Sequence, residues 1–294
     1  MQGIGPFGKL HFGTERPVAI NIDNTGELHY NLCNGGNMAK VLRCDLHTHT
    51  NYSFDSTVTM EQYVLKAIER GIDVVCFTDH IDCNKHYNTF DGFKFKARKL
   101  EFQRLKKQFA EQVELLLGFE IGEPHLHPDI MQVVYDSKPD MIIGSIHHPA
   151  DYERKYKWYP RREYEHLYNR YVREMVQSGG FDVLGHIDLP KKYHDDYVED
   201  IDYIYETLRL CAEKGIVVEI NTSSLRSGVT DTMPSLKAIQ YYAKCGGKYV
   251  TINSDSHDVN DLGYGYEQIY ASLPEGLQTC YFVNRQLKVT HTQD

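Results

Sequence analysis

Seven short apolar runs, each separated from the next by a longer stretch, set the tightest limit on how this chain can fold. The runs are "VLRCDLHTH", "VVCFTDH", "LLLGFEIGE", "MIIGSIHH", "DVLGHID", "VVEINTS" and "YVTINSDSH". Between them lie amphipathic or charge-laced segments such as "MEQYVLKAIERG", "RKLEFQRLKKQFAEQ", "EYEHLYNRYVREMVQSGG", "IDYIYETLRLCAEKG" and "MPSLKAIQYYAKCGG". Several end in glycine, as helix C-termini often do. Strand–helix alternation makes successive strands parallel, and continuous apolar runs mean strands buried on both faces. No cofactor glycine fingerprint follows the first run, as a dinucleotide-binding sheet would need. The expectation is an α/β fold, a closed or nearly closed β/α barrel.

Each run finishes in ionisable or amide residues: His47 and His49, Asp79 and His80, Glu120, His147, His186, Asn221, then Asp255 and His257. In parallel β/α barrels the site forms at the carboxyl ends of the strands, so these sequence-distant groups should converge on one rim. In "CDLHTHTNYSFDS" the two histidines are two residues apart, and in an extended strand both imidazoles then face one point. One histidine at a strand end is more often a hydrogen-bonded structural residue than a ligand. Six histidines and four carboxylates at or near strand ends are another matter. Burying them together unpaired is costly, and divalent cations are their natural partners.

The 294 residues are ample for a large, well-buried core. A net charge of -9 and a pI near 5.9 disfavour nonspecific nucleic-acid binding. They leave an anionic substrate open, because bound metal ions can dominate the local field. No apolar run approaches a membrane span, and the N-terminus lacks a signal-peptide pattern. The seven cysteines are scattered and never spaced CxxC, which argues against a disulfide framework or a thiolate zinc site. A reducing compartment, the cytoplasm, is expected.

The ordered set HxH, TDH, a lone Glu, SIH, LGH and a terminal SDSH resembles the polymerase and histidinol phosphatase (PHP) family, from about Cys44 to about Asp258. The resemblance implies a distorted seven-stranded (β/α)7 TIM-like barrel with two or three divalent metal ions at the strand ends. Zinc, manganese or iron is implied ahead of magnesium. Carried over position by position, His47, His49 and Asp255 would hold a first metal. Glu120 would bridge to a second, completed by His147 and His186, and Asp55, His80 and His257 would hold a third. His147 is favoured over His148 because "GSIH" is the matching stretch. Aspartate at position 55, a histidine in some members, is a harder ligand and moves preference from zinc towards manganese, iron or magnesium. Asp45 and Asp79, which precede their ligands, are expected to orient imidazoles or backbone.

Within that family, "LGHIDLPKKY", "EINTSSLR" and "YFVNRQ" resemble the histidinol-phosphate phosphatase branch. The implied reaction is hydrolysis of L-histidinol phosphate to L-histidinol and phosphate, a step in histidine biosynthesis. The competing expectation is another phosphoesterase on this scaffold, acting on nucleotides or other small phosphomonoesters. Arg226 resembles the phosphate-binding arginine of the branch, a guanidinium being able to hold two phosphate oxygens at once. Lys192, ahead of Lys191, is the second candidate cation, with a solvated loop as an equal alternative for both. Asp255, His257 and Arg226 make up the expected catalytic set. The implied partner is a small phosphorylated substrate, with no nucleic acid or membrane, and a homodimer is allowed.

Two segments lie outside this pattern. The insert "DYERKYKWYPRREYEHLYNRYVRE" reads as a helix packed on the barrel from Tyr164 onward, with a lid as the open reading for Tyr152 to Tyr159. Residues 1–40 form an extension ahead of a phosphoesterase domain at 41–294. Alternation on both sides of "NTG" reads as a β-hairpin. Residues 1–37 are equally readable as sequence upstream of a start at Met38.

Overall fold

The computed structural model describes residues 19–22, 28–31, 41–84, 87–149, 161–194 and 197–291, and they fall into two compact units. In the smaller unit, strands Ala19–Ile22 and Leu28–Asn31 pair antiparallel, with Ile20 opposite Tyr30, and Val41 bridges His291. The segment Tyr152 to Tyr159, where a lid was the open reading, lies outside the described residues.

The larger unit, Leu42–Thr290, carries the strand–helix repeat. Its main strands are β1 (Cys44–Thr48), β2 (Val74–Phe77), β3 (Glu114–Gly122), β4 (Met141–Ser145), β5 (Val183–Leu184), β6 (Val217–Asn221) and β7 (Tyr249–Asn253). Each falls inside one of the seven apolar runs, except that β3 begins one residue ahead of its run, at Glu114. They pair in chain order and in parallel, and β8 (Gln278–Val283) continues the series on β7. Just past β7, Ser256 forms a parallel bridge to Thr48. The His49 N–H donates to its carbonyl, and its own N–H donates to the His47 carbonyl. The first and seventh strands thus meet at their carboxyl ends.

The strand β9 (Gln286–Val289) folds back antiparallel on β8. Sequence reading gave this hairpin no place, and the reason is its turn. Asn284 and Arg285 both have positive φ, at 51° and 61°, a region common for asparagine but rare for arginine. Arg285 is held by a fork onto Asp182, at 3.0 Å to each oxygen, which ties the hairpin to the start of β5.

Helices α1 (Met60–Arg70), α2 (Phe95–Gln108), α3 (Pro128–Asp136), α4 (Arg161–Ser178), α5 (Ile201–Lys214), α6 (Ser223–Arg226), α7 (Leu236–Lys244) and α8 (Tyr266–Tyr270) follow the strands. In α1 the ends are set locally: Thr59 and Gln62 form a capping box, and Gly71 closes the helix in the left-handed conformation. Tyr164 and Tyr168 of α4 are buried in the layer between helices and strands, as the helical reading of that segment expects.

Leu46, Val74, Leu116, Ile143, Val183 and Val217 belong to an inner apolar plug, while Val75, Phe77 and Leu115 pack outward against α1 and α2. Side chains two apart share a face, so Glu120 continues the inner face of Leu116, and Glu219 and Asn221 that of Val217. Strand β1 needs a change of parity, because Cys44 and Leu46 fill the plug whereas His47 and His49 serve the rim. The β1–β2 ladder is irregular between Asp45 and Thr48, where one extra residue turns the following side chains to the other face.

Candidate metal centre

Glu120 is fully buried at the middle of the rim. Its Oε2 lies 3.1 Å from His47 Nε2, 3.5 Å from His49 Nε2 and 3.0 Å from His80 Nδ1. Its Oε1 lies 3.1 Å from His147 Nε2 and 2.8 Å from His186 Nε2. Asp255 Oδ1 is 3.3 Å from His49 Nε2 and 3.7 Å from His47 Nε2. Asp55 Oδ2 is 3.4 Å from His80 Nε2 and 3.2 Å from His257 Nε2. All nine residues that the family resemblance nominates as ligands therefore come together.

Among the described residues, four triads have ligand atoms close enough to share an ion: His47–His49–Asp255, His47–Glu120–His186, His80–Glu120–His147 and His49–His80–His257. The first is the expected first set. The expected second set is divided between two triads, with Glu120 Oε1 facing both His147 and His186. In the expected third set, Asp55 faces His80 and His257, and His49 joins them. The buried atoms His47 Nε2, His49 Nε2, His80 Nδ1 and Glu120 Oε2 have no hydrogen bond of acceptable geometry. Such atoms are costly to bury unless a cation takes their lone pairs. Imidazole nitrogens mixed with carboxylate oxygens, without thiolates, suit zinc, manganese or iron.

The electrostatics lead to the same conclusion. Burial disfavours the His47 imidazolium, yet Glu120, Glu219 and Asp255 outweigh it and lift its pKa well above the usual histidine value. His80 is lifted to about 10 against burial, chiefly by Glu120. Burial, with repulsion from His257 and His80, pushes His49 well down. Burial opposes ionisation of Glu120, but His47, His147 and His80 hold its pKa well below the carboxylate range. The acids retain protons on several imidazoles, and cations would take the place of those protons.

Neighbouring groups brace the ligands. Asp79 accepts from the Thr50 N–H at 2.6 Å and from Arg98 Nε at 2.5 Å. Ser53, which donates to Asp79, lies 3.2 Å from His49 Nδ1 and accepts the His80 N–H at 3.0 Å. Asp45 accepts the N–H groups of Ser254 at 3.1 Å and Gly263 at 2.7 Å. Both aspartates therefore hold backbone beside ligand residues. The His147 ring faces Glu120, and the N–H groups of His147 and His148 both donate to Glu123 Oε1 at 2.6 Å.

At the rim, Arg226 donates to the carbonyls of Ser254 at 2.7 Å and Asp255 at 3.1 Å, and its Nε lies 3.1 Å from Asp261 Oδ2. Two of a guanidinium's five N–H groups are left without a partner among the described residues. Lys192 Nζ lies 3.7 Å from Asp255 Oδ2, while Lys191 donates to the Thr232 carbonyl at 2.9 Å. Asn221 points its amide at Glu219 and not at the ligand atoms.

Sequence reasoning missed two buried carboxylates. Asp82 Oδ1 is 2.7 Å from His147 Nδ1, and Glu219 Oε1 is 2.7 Å from His47 Nδ1. Glu219 left a signal, an acid inside the apolar run "VVEIN", where a charge buried on both sides must meet partners. Asp82 left less, because its neighbourhood depends on the return of β4.

The sequence profile of the PHP domain matches residues 45–223. A "Probable histidinol-phosphatase" of Deinococcus radiodurans is 28% identical, over 83% of this chain and 98% of that protein. A "Probable histidinol-phosphatase" of Clostridium acetobutylicum is 31% identical, again over 83% of this chain and 98% of the relative. Among solved structures, histidinol phosphate phosphatase from Lactococcus lactis, complexed with zinc, L-histidinol and phosphate, superposes with a TM-score of 0.74. That match has 23% identity and covers 84% of this chain and 98% of the other, so the fold is shared. With the motifs, the strand order and these matches in agreement, the chain belongs to the PHP domain family.

Proposed function

We propose that this chain is a metal-dependent phosphomonoesterase whose substrate is L-histidinol phosphate, and that the unit Leu42–Thr290 is its catalytic domain. The observation that carries the reading is the convergence of six imidazoles with Asp55 and Asp255 about Glu120, where four of the facing ligand atoms are buried without a hydrogen bond. The relatives named as histidinol-phosphatases, matched over nearly their whole length, support the substrate. So does the complex of the Lactococcus lactis protein with zinc, L-histidinol and phosphate.

In this reading His47, His49 and Asp255 hold one cation, Glu120 with His147 and His186 another, and Asp55, His80 and His257 a third. Bound cations supply Lewis-acid polarisation of a phosphoryl oxygen and a water of lowered pKa as nucleophile. The chain's own contribution is position and charge. Arg226, clamped by two carbonyls and Asp261, presents its two remaining N–H groups to the phosphate, where they neutralise charge that grows in the transition state. Lys192 adds positive charge beside Asp255. Asp79, through Thr50 and Ser53, holds the turn after β1 so that His49 and His80 keep their spacing.

The reading takes the protein to work in the cytoplasm, a reducing compartment, and the described cysteines, all free, support this. No described helix is long and apolar enough to cross a membrane. The test is phosphate release from L-histidinol phosphate, nucleoside monophosphates and sugar phosphates, by chelated protein with zinc or manganese restored. Histidinol phosphate is expected to give the highest kcat/KM. A nucleotide turned over about tenfold faster would overturn the substrate assignment.

A further inference from the structure

Glu219 touches none of the open ligand atoms, yet four donors converge on it in full burial. His47 Nδ1 at 2.7 Å and Asn253 Nδ2 at 2.9 Å meet Oε1. The His186 main-chain N–H at 2.8 Å and Asn221 Nδ2 at 3.1 Å meet Oε2. Neither asparagine can turn its oxygen inward instead. Asn253 Oδ1 accepts the Leu46 N–H at 3.0 Å, and Asn221 Oδ1 accepts the Ser223 N–H at 2.9 Å. Main-chain donors cannot reverse, so both amide NH2 groups are committed to Glu219. A carboxylate, accepting at both oxygens, is the group that satisfies this pattern; a carboxamide would set its own NH2 against two donors.

From this geometry we infer that Glu219 is a positioning residue that prepares two cation sites at once, through the His47 ring on one side and the His186 backbone on the other. The inference rests on the reading that the cluster binds cations. By accepting from Nδ1, Glu219 keeps a His47 ring proton there, so that a cation replacing the proton at Nε2 would take that nitrogen's lone pair where it faces Glu120 Oε2, 3.1 Å away, and Asp255 Oδ1, 3.7 Å away. Through its other oxygen it fixes the backbone from which the His186 ring reaches Glu120 Oε1 at 2.8 Å. Strands β1 and β5 are not sheet neighbours, so this carboxylate on β6 spans the barrel between them. Asp82 differs in reach, because His147 Nδ1 is its ring contact within hydrogen-bond distance.

The experiment uses the full chain, chelated and then titrated with zinc by calorimetry, as wild type, Glu219→Gln and Asp82→Asn. Glu219→Gln should weaken zinc binding about 10- to 100-fold at two positions, and Asp82→Asn at one. Zinc affinity and stoichiometry in Glu219→Gln equal to wild type would overturn the inference while leaving the metal reading intact. No zinc binding by wild type would overturn both. A second measurement does not depend on the variant folding: two-bond 15N–1H spectra of the zinc-loaded wild type. They should place the His47 ring proton on Nδ1, and a ring proton on Nε2 would overturn the assignment.

Discussion

Replacing Gly122 with alanine tests how the site is braced from a position outside the ligand set. Gly122 ends β3, two residues past Glu120, and the Asp82 carboxylate lies against its Cα. An added methyl would sit 2.2 Å from Asp82 Oδ1, 3.3 Å from its Cγ and 3.2 Å from His147 Nδ1. Carbon–oxygen contacts settle at about 3.3–3.6 Å, so the carboxylate must withdraw by about 1 Å. Asp82 has little room to do so, being 2% exposed with its N–H bonded to Thr89 Oγ1 at 2.9 Å. Withdrawal stretches the 2.7 Å contact to His147 Nδ1 beyond hydrogen-bond range. His147 then loses the acceptor that orients its ring towards Glu120. Two effects should follow: overpacking should cost about 1–3 kcal/mol of stability, and affinity for one cation should fall about 10- to 100-fold. The assay is thermal unfolding of chelated protein beside zinc titration, with phosphate release measured at saturating metal. Wild-type affinity together with a wild-type melting temperature would refute the reasoning, because Asp82 would then not be what holds His147.

Removing the central carboxylate, Glu120→Ala, should lower kcat by about three orders of magnitude while circular dichroism shows a folded barrel; substantial turnover would count against Glu120 as the shared ligand. Arg226→Ala should raise KM for the phosphomonoester about tenfold and lower kcat as well if the guanidinium holds transition-state charge, as steady-state kinetics would read out. Burial lifts Asp188 to about 7 even though Lys191 pulls it down, so its folded pKa exceeds its unfolded value of 3.8. The fold therefore loses stability as pH rises through that window, by about 4 kcal/mol in full, and metal-free Asp188→Asn should melt above wild type at pH 8, with the gap narrowing towards pH 5. Arg285→Ala, which cuts the hairpin from Asp182, should lower the melting temperature by about 2–4 °C with kcat unchanged.

Much of this architecture could be read from the chain, because a parallel barrel writes itself locally. Each strand is a continuous apolar run, and each run ends where its polar residues face the rim. His47, His49, Glu120, His147, His186 and Asp255 were legible for that reason. What stayed hidden depended on groups distant in sequence. Spacing alone puts His47 and His49 on one side, but their turning to the rim while Leu46 fills the plug depends on the irregularity between Asp45 and Thr48. Glu219 and Asp82 acquire meaning only when His47 and His147 arrive from other strands. The hairpin β8–β9 escaped because its turn uses Asn284 and Arg285 without the glycine that usually advertises positive φ. Lys191 and Lys192, adjacent and alike in sequence, separate only in space, one bonded to Thr232 and the other beside Asp255.

The junction at Ser256 carries a mechanical consequence. Two backbone hydrogen bonds knit the first strand to the end of the seventh, and the proposed ligands stand on both sides of that stitch. An ion gripped jointly by His47, His49 and Asp255 would act as a clasp on the ring's circumference. Loading and unloading it should register as slowed and hastened amide exchange at His49 and Ser256, so that the place where chemistry occurs is also where the ring is fastened.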